Sequence, residues 1–441
     1  MGGKSLKNLS SDFTFFLTEV NHLKDHNRHF NLSIKDISLI NPNTRTCPIF
    51  RTKIDAELTR KIYERVPVLI NERTGENPWG VHFMRMFDMS NDSHLFKTRE
   101  QLESEGFTLM GNRFIKGKEL WLPLYEAKMI WQYDHRFGTY EGVTSRSNTH
   151  LPTPSLEQYQ DPSWLPLPWY WVDSEKVKVK LGKWKFRWLL GWRKIARATD
   201  ERSMVNCLFP SFGSGDSICL LFNKRKAEDS SCLLACLSNF AFDYLVRQKL
   251  GGINLQFMIV HQLPIFPPTA YMAKDFLFII PYVLELVYTS WDMKPFADDV
   301  WKESAKLKPQ TTNRNLPLTN RPSLQDAIRT QWEENKRETG GHTWKLPQWI
   351  EAYPEIETDP QKGIPFPPFK WDEDRRAKIK AELDAYYAKL YGLTEEELRY
   401  ILDPQDVYGP NFPGETFRVL KEKEIRLYGH YRTKELILKI D

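Results

Sequence analysis

The sequence predicts an α+β protein, and three observations carry that expectation. Helical spacing over 55–66 gives way to an extended run at 68–70. Short alternating stretches follow at 118–140, and the C-terminal quarter carries helices with marked starts and stops. At 441 residues the chain exceeds the ~250–300 that one core usually holds, so two or three domains are expected.

In chain order, Ala56, Leu58, Ile62 and Val66 fall on one helical face, and Pro67 stops the pattern. Between 118 and 140, Leu120, Leu122, Met129 and Trp131 alternate with polar neighbours, and Pro123 is expected to break the run into short strands. Five prolines in 152–168, with Trp164 and Trp169, read as an extended linker entering a new domain. Ser231 is expected to open a helix with Leu233, Leu237, Phe240 and Tyr244 inward and Asn239, Arg247, Gln248 and Lys249 outward, stopped by Gly251-Gly252. The polar 302–341 stretch reads as surface loops and a short helix. A helix at 375–391 ends at Gly392; a second begins with Thr394 as N-cap and Glu397 closing a capping box, and Pro404 ends it.

Composition narrows the class. An apolar fraction of 41% with 27% charged residues is ordinary for a globular chain. The five cysteines form no C-x-x-C pair, which fits a reducing cytoplasm. No run is long and apolar enough for a membrane span; the best candidate, 276–287, contains Pro281 and Glu285, so no membrane partner is expected. A net charge of +5 permits nucleic acid without requiring it.

Catalytic constellations are weak. The Pro-Pro pairs follow Phe266 and Phe366, and phenylalanine cannot accept a hydrogen bond from a base amine. Gly213-Ser214-Gly215 reads as a structural turn. His22, His26 and His29 share helical spacing but lack a glutamate partner, and Cys232 and Cys236 sit one turn apart on an apolar helix with no second ligand pair. Asp134-His135 has no identifiable nucleophile. No catalytic, cofactor-binding or metal residue is assigned.

Charge is concentrated instead. The 22 residues 176–197 hold nine basic side chains and no acid, interleaved with Trp184, Phe186, Trp188 and Trp192. Such a segment can neutralise phosphates while its aromatics anchor it or stack on bases. The same pattern fits an amphipathic segment with inward tryptophans and merely solvated lysines. Arg197 and Arg202 flank Thr199-Asp200-Glu201, whose acids can orient them for phosphate or guanine or simply pair with them. The candidate DNA-binding residues are Lys183, Lys185, Arg187, Arg193, Lys194, Arg197, Arg202 and Arg247.

Several segments, taken together, resemble one family. They are Ile40-Asn41-Pro42-Asn43-Thr44-Arg45, Pro123-Leu124-Tyr125-Glu126-Ala127-Lys128 and Tyr133-Asp134-His135-Arg136-Phe137. Trp192-Arg193-Lys194-Ile195-Ala196-Arg197-Ala198-Thr199-Asp200-Glu201-Arg202 follows, then Asn239 with Asp243-Tyr244, Gln262-Leu263-Pro264, Glu382-Leu383-Asp384-Ala385-Tyr386-Tyr387 and Leu398-Arg399-Tyr400-Ile401-Leu402-Asp403-Pro404. In this order they are similar to the C-terminal part of type IIG restriction-modification enzymes and the adenine-specific DNA methyltransferases of BREX-like phage defence. The resemblance implies a mixed α+β target-recognition domain with a helical C-terminal segment, whose Rossmann-like methyltransferase core is absent or represented only by its tail. It implies four segments: 1–150 as tail or connector, 151–270 as recognition domain, 271–370 as a loop-rich region and 371–441 as helical. It also implies duplex DNA as partner, together with a catalytic half encoded upstream that uses S-adenosylmethionine; this chain itself holds no cofactor. The alternative is a stand-alone DNA-binding specificity subunit without a methyltransferase partner.

Overall fold

The computed structural model describes residues 10–147, 150–306 and 322–440, and the protein is a mixed α+β chain. Its central sheet is antiparallel, in the order Asn206–Pro210, Trp188–Arg193, Ile218–Phe222 and His82–Met84. Leu189, Leu190, Leu208, Phe209, Leu220 and Leu221 are all buried, so both faces of these strands are covered and the period-two alternation disappears. Gly191 permits the close packing at the centre: a Cβ there would stand 2.8 Å from Ile218 Cγ2.

A second sheet runs Phe96–Lys97, Trp171–Asp173, Glu119–Tyr125, Arg113–Lys116, Thr108–Met110. The break expected at Pro123 does not occur, because Glu119–Tyr125 passes straight through it. The Arg113–Lys116 hairpin partner pairs only as far as Trp121, and the parallel Gly213–Ser214 strand begins at Leu124. Proline therefore sits in the gap between two partners, where its missing N–H costs no ladder bond. Gly213-Ser214, expected as a turn, is that short strand.

The helix expected from Ser231 is two helices, Ala227–Ser238 and Phe240–Lys249. Asn239 breaks them with extended backbone and caps the second by accepting the Phe242 N–H at 2.8 Å. Asn239 and Arg247, expected outward, are buried because other helices pack around this pair. The 302–341 region holds a long helix, Leu324–Thr339, rather than a short one; 307–321 lie outside the described residues. Its Gln331 and Asn335 donate to Glu285, which Arg375 also grips at 2.5 Å, so a buried carboxylate on Ala273–Val287 ties three helices together.

The 152–168 stretch is not an open linker. Arg136, fully buried, donates to the carbonyls of Tyr159, Asp161 and Thr289 and pins it down. The C-terminal signals hold. Glu373–Tyr391 ends at Gly392 in left-handed conformation, and Glu395–Leu402 carries the Thr394/Glu397 capping box. One apolar cluster draws side chains from Phe30 to Ile437 and so includes residues of all four expected segments. Within it the Asp55 carboxylate accepts the hydroxyls of Tyr244 at 2.8 Å and Tyr400 at 2.9 Å. Among the described residues no helix is long and apolar enough to cross a membrane.

Candidate nucleic-acid interface

The basic segment is divided by its own secondary structure. The helix Ser174–Leu181 ends at Gly182, whose φ of 56° turns the chain sharply into Lys183 and Trp184. From there to Trp188 the side chains alternate: Lys183, Lys185 and Arg187 are exposed, while Trp184 and Phe186 are half-buried. The aromatics are anchors. Trp184 donates its indole N–H to the Trp188 carbonyl at 2.9 Å and packs edge-on against Phe222 at 4.9 Å; Trp188 and Trp192 are buried. Burial of the rings on one side forces the cations to the other.

Lys183 and Lys185 open onto a groove of about 360 Å³ that also receives Lys180, Lys224 and Arg225. None of its lining residues is a carboxylate, whereas three other cavities carry Glu64, Glu175 or Asp384 among theirs. Lys183, Lys185 and Lys224 are exposed and make no hydrogen bond or ion pair among the described residues, although Lys185 feels the more distant Asp299 carboxylate. Lys180 stands 3.8 Å from Asp92, and Arg225 donates to the Pro78 carbonyl at 2.6 Å. His82 stacks on Phe222 at 5.0 Å along the groove; burial and the neighbouring Lys224 lower its pKa, which favours the neutral ring. Lys224 and Arg225 escaped the sequence reading. Their signal was the Lys224-Arg225-Lys226 run in the turn after Ile218–Phe222, and only the sheet brings it beside Lys183.

The other candidate residues lie elsewhere. Arg187 lines an adjoining cavity with Glu175 and Glu355, across the Trp184–Phe186 wall. Lys194 and Arg197 follow the Trp188–Arg193 strand, which at ~3.3 Å per residue separates them from Lys185 by well over one helical turn of chain. Lys194 pairs with Asp216 at 2.9 Å; Arg197 is exposed, with its backbone N–H held by Asp200. Arg193 lies over Trp131 at 4.8 Å and donates to the Ile130 carbonyl, and burial pushes its pKa down to about 10.

Arg202 and Arg247 do not reach the groove. Arg202 is buried against the Phe240 ring, donating to the Ser238 carbonyl. Arg247 directs its donors to the carbonyls of Ala198, Asp200, Glu201 and Thr416 and to Asp243. All five N–H groups of a guanidinium are then engaged, and the DNA contact expected of Arg247 is replaced by a structural one.

Sites of other chemistry resolve into packing. Asp292 binds His135 at 3.0 Å and receives the Ser290 hydroxyl at 2.5 Å, but serine and aspartate both meet the same ring nitrogen, Nε2. All three side chains are buried, so no substrate reaches them. Phe266 and Pro367 each accept a tryptophan indole N–H on their carbonyls, from Trp79 and Trp332. Gly213 packs so closely that a Cβ would lie 2.5 Å from Val172, which leaves no cradle for a cofactor phosphate or carboxylate. Among the described residues no group of His, Cys, Asp and Glu is arranged to hold a metal ion. No family model, curated protein or solved structure matches the chain.

Proposed function

We propose that this chain is the DNA target-recognition portion of a site-specific adenine DNA methyltransferase of a restriction-modification or phage-defence system. It acts with a catalytic half, encoded upstream, that binds S-adenosylmethionine, flips the adenine and transfers the methyl group. The observation that supports this reading most is the carboxylate-free groove of Lys183, Lys185, Lys224 and Arg225. Exposed cations without an ion pair, gathered beside a sheet, suit phosphate contacts, which position a protein on a duplex. Arg197, exposed beyond the end of the Trp188–Arg193 strand, is the candidate for reading a base edge.

The test is duplex binding by the purified chain across a salt series. Tight binding at low salt that falls steeply as salt rises, and is weakened by Lys183→Ala/Lys185→Ala/Lys224→Ala, is the expected result. Absence of binding at low salt by a cooperatively folded chain overturns the reading for the chain alone. Methyl transfer to DNA on mixing with the upstream half, and none by either part separately, separates the split enzyme from a stand-alone specificity subunit.

A further inference from the structure

A different cavity, of about 330 Å³, opens where Phe240–Lys249 begins, between the helices Glu373–Tyr391 and Arg418–Tyr428. It shares no lining residue with the basic groove. Most of its charges are already matched: Lys423 pairs with Glu201 at 2.9 Å, Arg432 with Asp374 at 2.7 Å, and Glu424 accepts the Thr433 N–H at 2.7 Å. Glu373 is exposed and receives the Trp371 indole N–H.

Two cations keep hydrogen-bond donors to spare. Arg202 is 6% exposed, and its buried Nε–H has no hydrogen-bond partner. The nearest carboxylate oxygen, on Asp243, lies 3.8 Å away and already serves Arg247 and the backbone N–H groups of Ser203 and Met204. Lys380 lines the same cavity and makes no hydrogen bond or ion pair among the described residues. Burial above all, with the nearby Arg376 and Arg202, holds its ammonium down at about 8 against the attraction of Glu373 and Asp384. The one carboxyl deep in the cavity, Asp384, accepts the Phe240 N–H at 2.8 Å, and burial lifts it to about 7, so near neutrality it supplies only part of a charge.

Tyr133, also on the wall, is one of three non-glycine residues with positive φ among the described residues, at 60°. Such backbone costs energy and collects at ligand sites. Trp131 and Tyr428 add aromatic surface, and the volume is many times the ~30 Å³ share of one water. The geometry points to a binding site for a small phosphorylated ligand of mononucleotide size, with its phosphoryl group on Arg202 and Lys380 and its ring system beside Trp131 and Tyr428. A phosphoryl group has oxygens enough to accept both the unpartnered Arg202 Nε–H and the Lys380 ammonium at once. The site stands whether or not the basic groove binds DNA.

Calorimetric titration of the full chain with dAMP, and separately with inorganic phosphate, tests it. One dAMP per chain is expected, with phosphate binding more weakly at the same stoichiometry. Lys380→Met weakens dAMP about tenfold or more, Lys380→Arg largely restores it, and Lys183→Ala/Lys185→Ala leaves it unchanged. Competition by a short single-stranded oligonucleotide, sensitive to Lys380→Met, identifies a nucleotide within a strand as the occupant; its absence identifies a free one, and both support the site. No dAMP binding tighter than about 1 mM, or equal binding by wild type and a cooperatively folded Lys380→Met, overturns it.

Discussion

Lys183 and Arg247 come from the same kind of sequence, a basic residue close to aromatics, and the fold treats them in opposite ways. Lys183 stands exposed on a turn with no partner, while Arg247 is enclosed by four carbonyls and a carboxylate. The difference lies in the donors. A lysine carries a compact, strongly hydrated charge that gains little from burial, whereas a guanidinium offers five directed N–H groups that can satisfy several loop carbonyls at once. Arg136 repeats the pattern on the 152–168 stretch, and Arg193 does so in part on the Ile130 carbonyl. Arg136, Arg193 and Arg247 thus fasten loops, while Lys183, Lys185, Lys224 and Arg225 furnish the outward charge of the groove.

The sharpest way to break that contrast is Arg247→Ala. It strands the buried Asp243 and four carbonyls, so a loss of about 3–5 kcal/mol of stability is expected in denaturant unfolding. A folded variant of unchanged stability that fails to bind DNA would instead place Arg247 among the contacts. Next in size is Lys183→Ala/Lys185→Ala/Lys224→Ala. Stability should stay within about 0.5 kcal/mol, while the slope of log affinity against log salt falls by about 0.9 for each lost phosphate contact. Fluorescence anisotropy with a labelled duplex reads both affinity and slope.

Asp384→Asn sharpens the contrast from the acidic side. Burial raises the folded pKa of Asp384 to about 7 from its ordinary 3.8, so wild-type stability is fully present below pH ~4 and is lost as pH rises through about 7. The asparagine variant should therefore be more stable than wild type at pH 8, by on the order of 2 kcal/mol, with the gap closing by pH ~4. Thermal unfolding at the two pH values measures it. The smallest effect belongs to Arg187→Ala, which lies across the aromatic wall from the groove. Less than about a twofold change in duplex affinity is expected, because a single exposed charge beside two acids contributes little. A larger loss would extend the interface over Trp184.

Local signals in the sequence were legible and distant ones were not. Thr394, Glu397 and Gly392 act on neighbours a few residues away, so the capping box and the helix stop could be read directly. Asn239 was misread as an outward residue because its two tasks, ending one helix and capping the next, require knowing that both faces are covered. Pro123 was misread as a strand break because its tolerance depends on where two partner strands end and begin. The basic segment announced itself, yet two of the groove's five cations are Lys224 and Arg225, which strand pairing alone carries to Lys183 and Lys185. The carboxylate-free lining is likewise a property of the assembled surface.

The cluster around Asp55 also sets a timetable. Its carboxylate receives hydroxyls from Tyr244 and from Tyr400, the latter 345 residues further along the chain. At ~5–20 residues per second, a ribosome needs roughly 17–70 s to travel from one to the other. Throughout that interval Lys53–Arg65 exists without the aromatic hydroxyl that completes its acceptor, and its apolar face waits for partners still unsynthesised. Newly made chain must therefore be held from aggregation until the last helices emerge, so yield in the cell should depend on chaperone supply and on the pace of translation past codon 400.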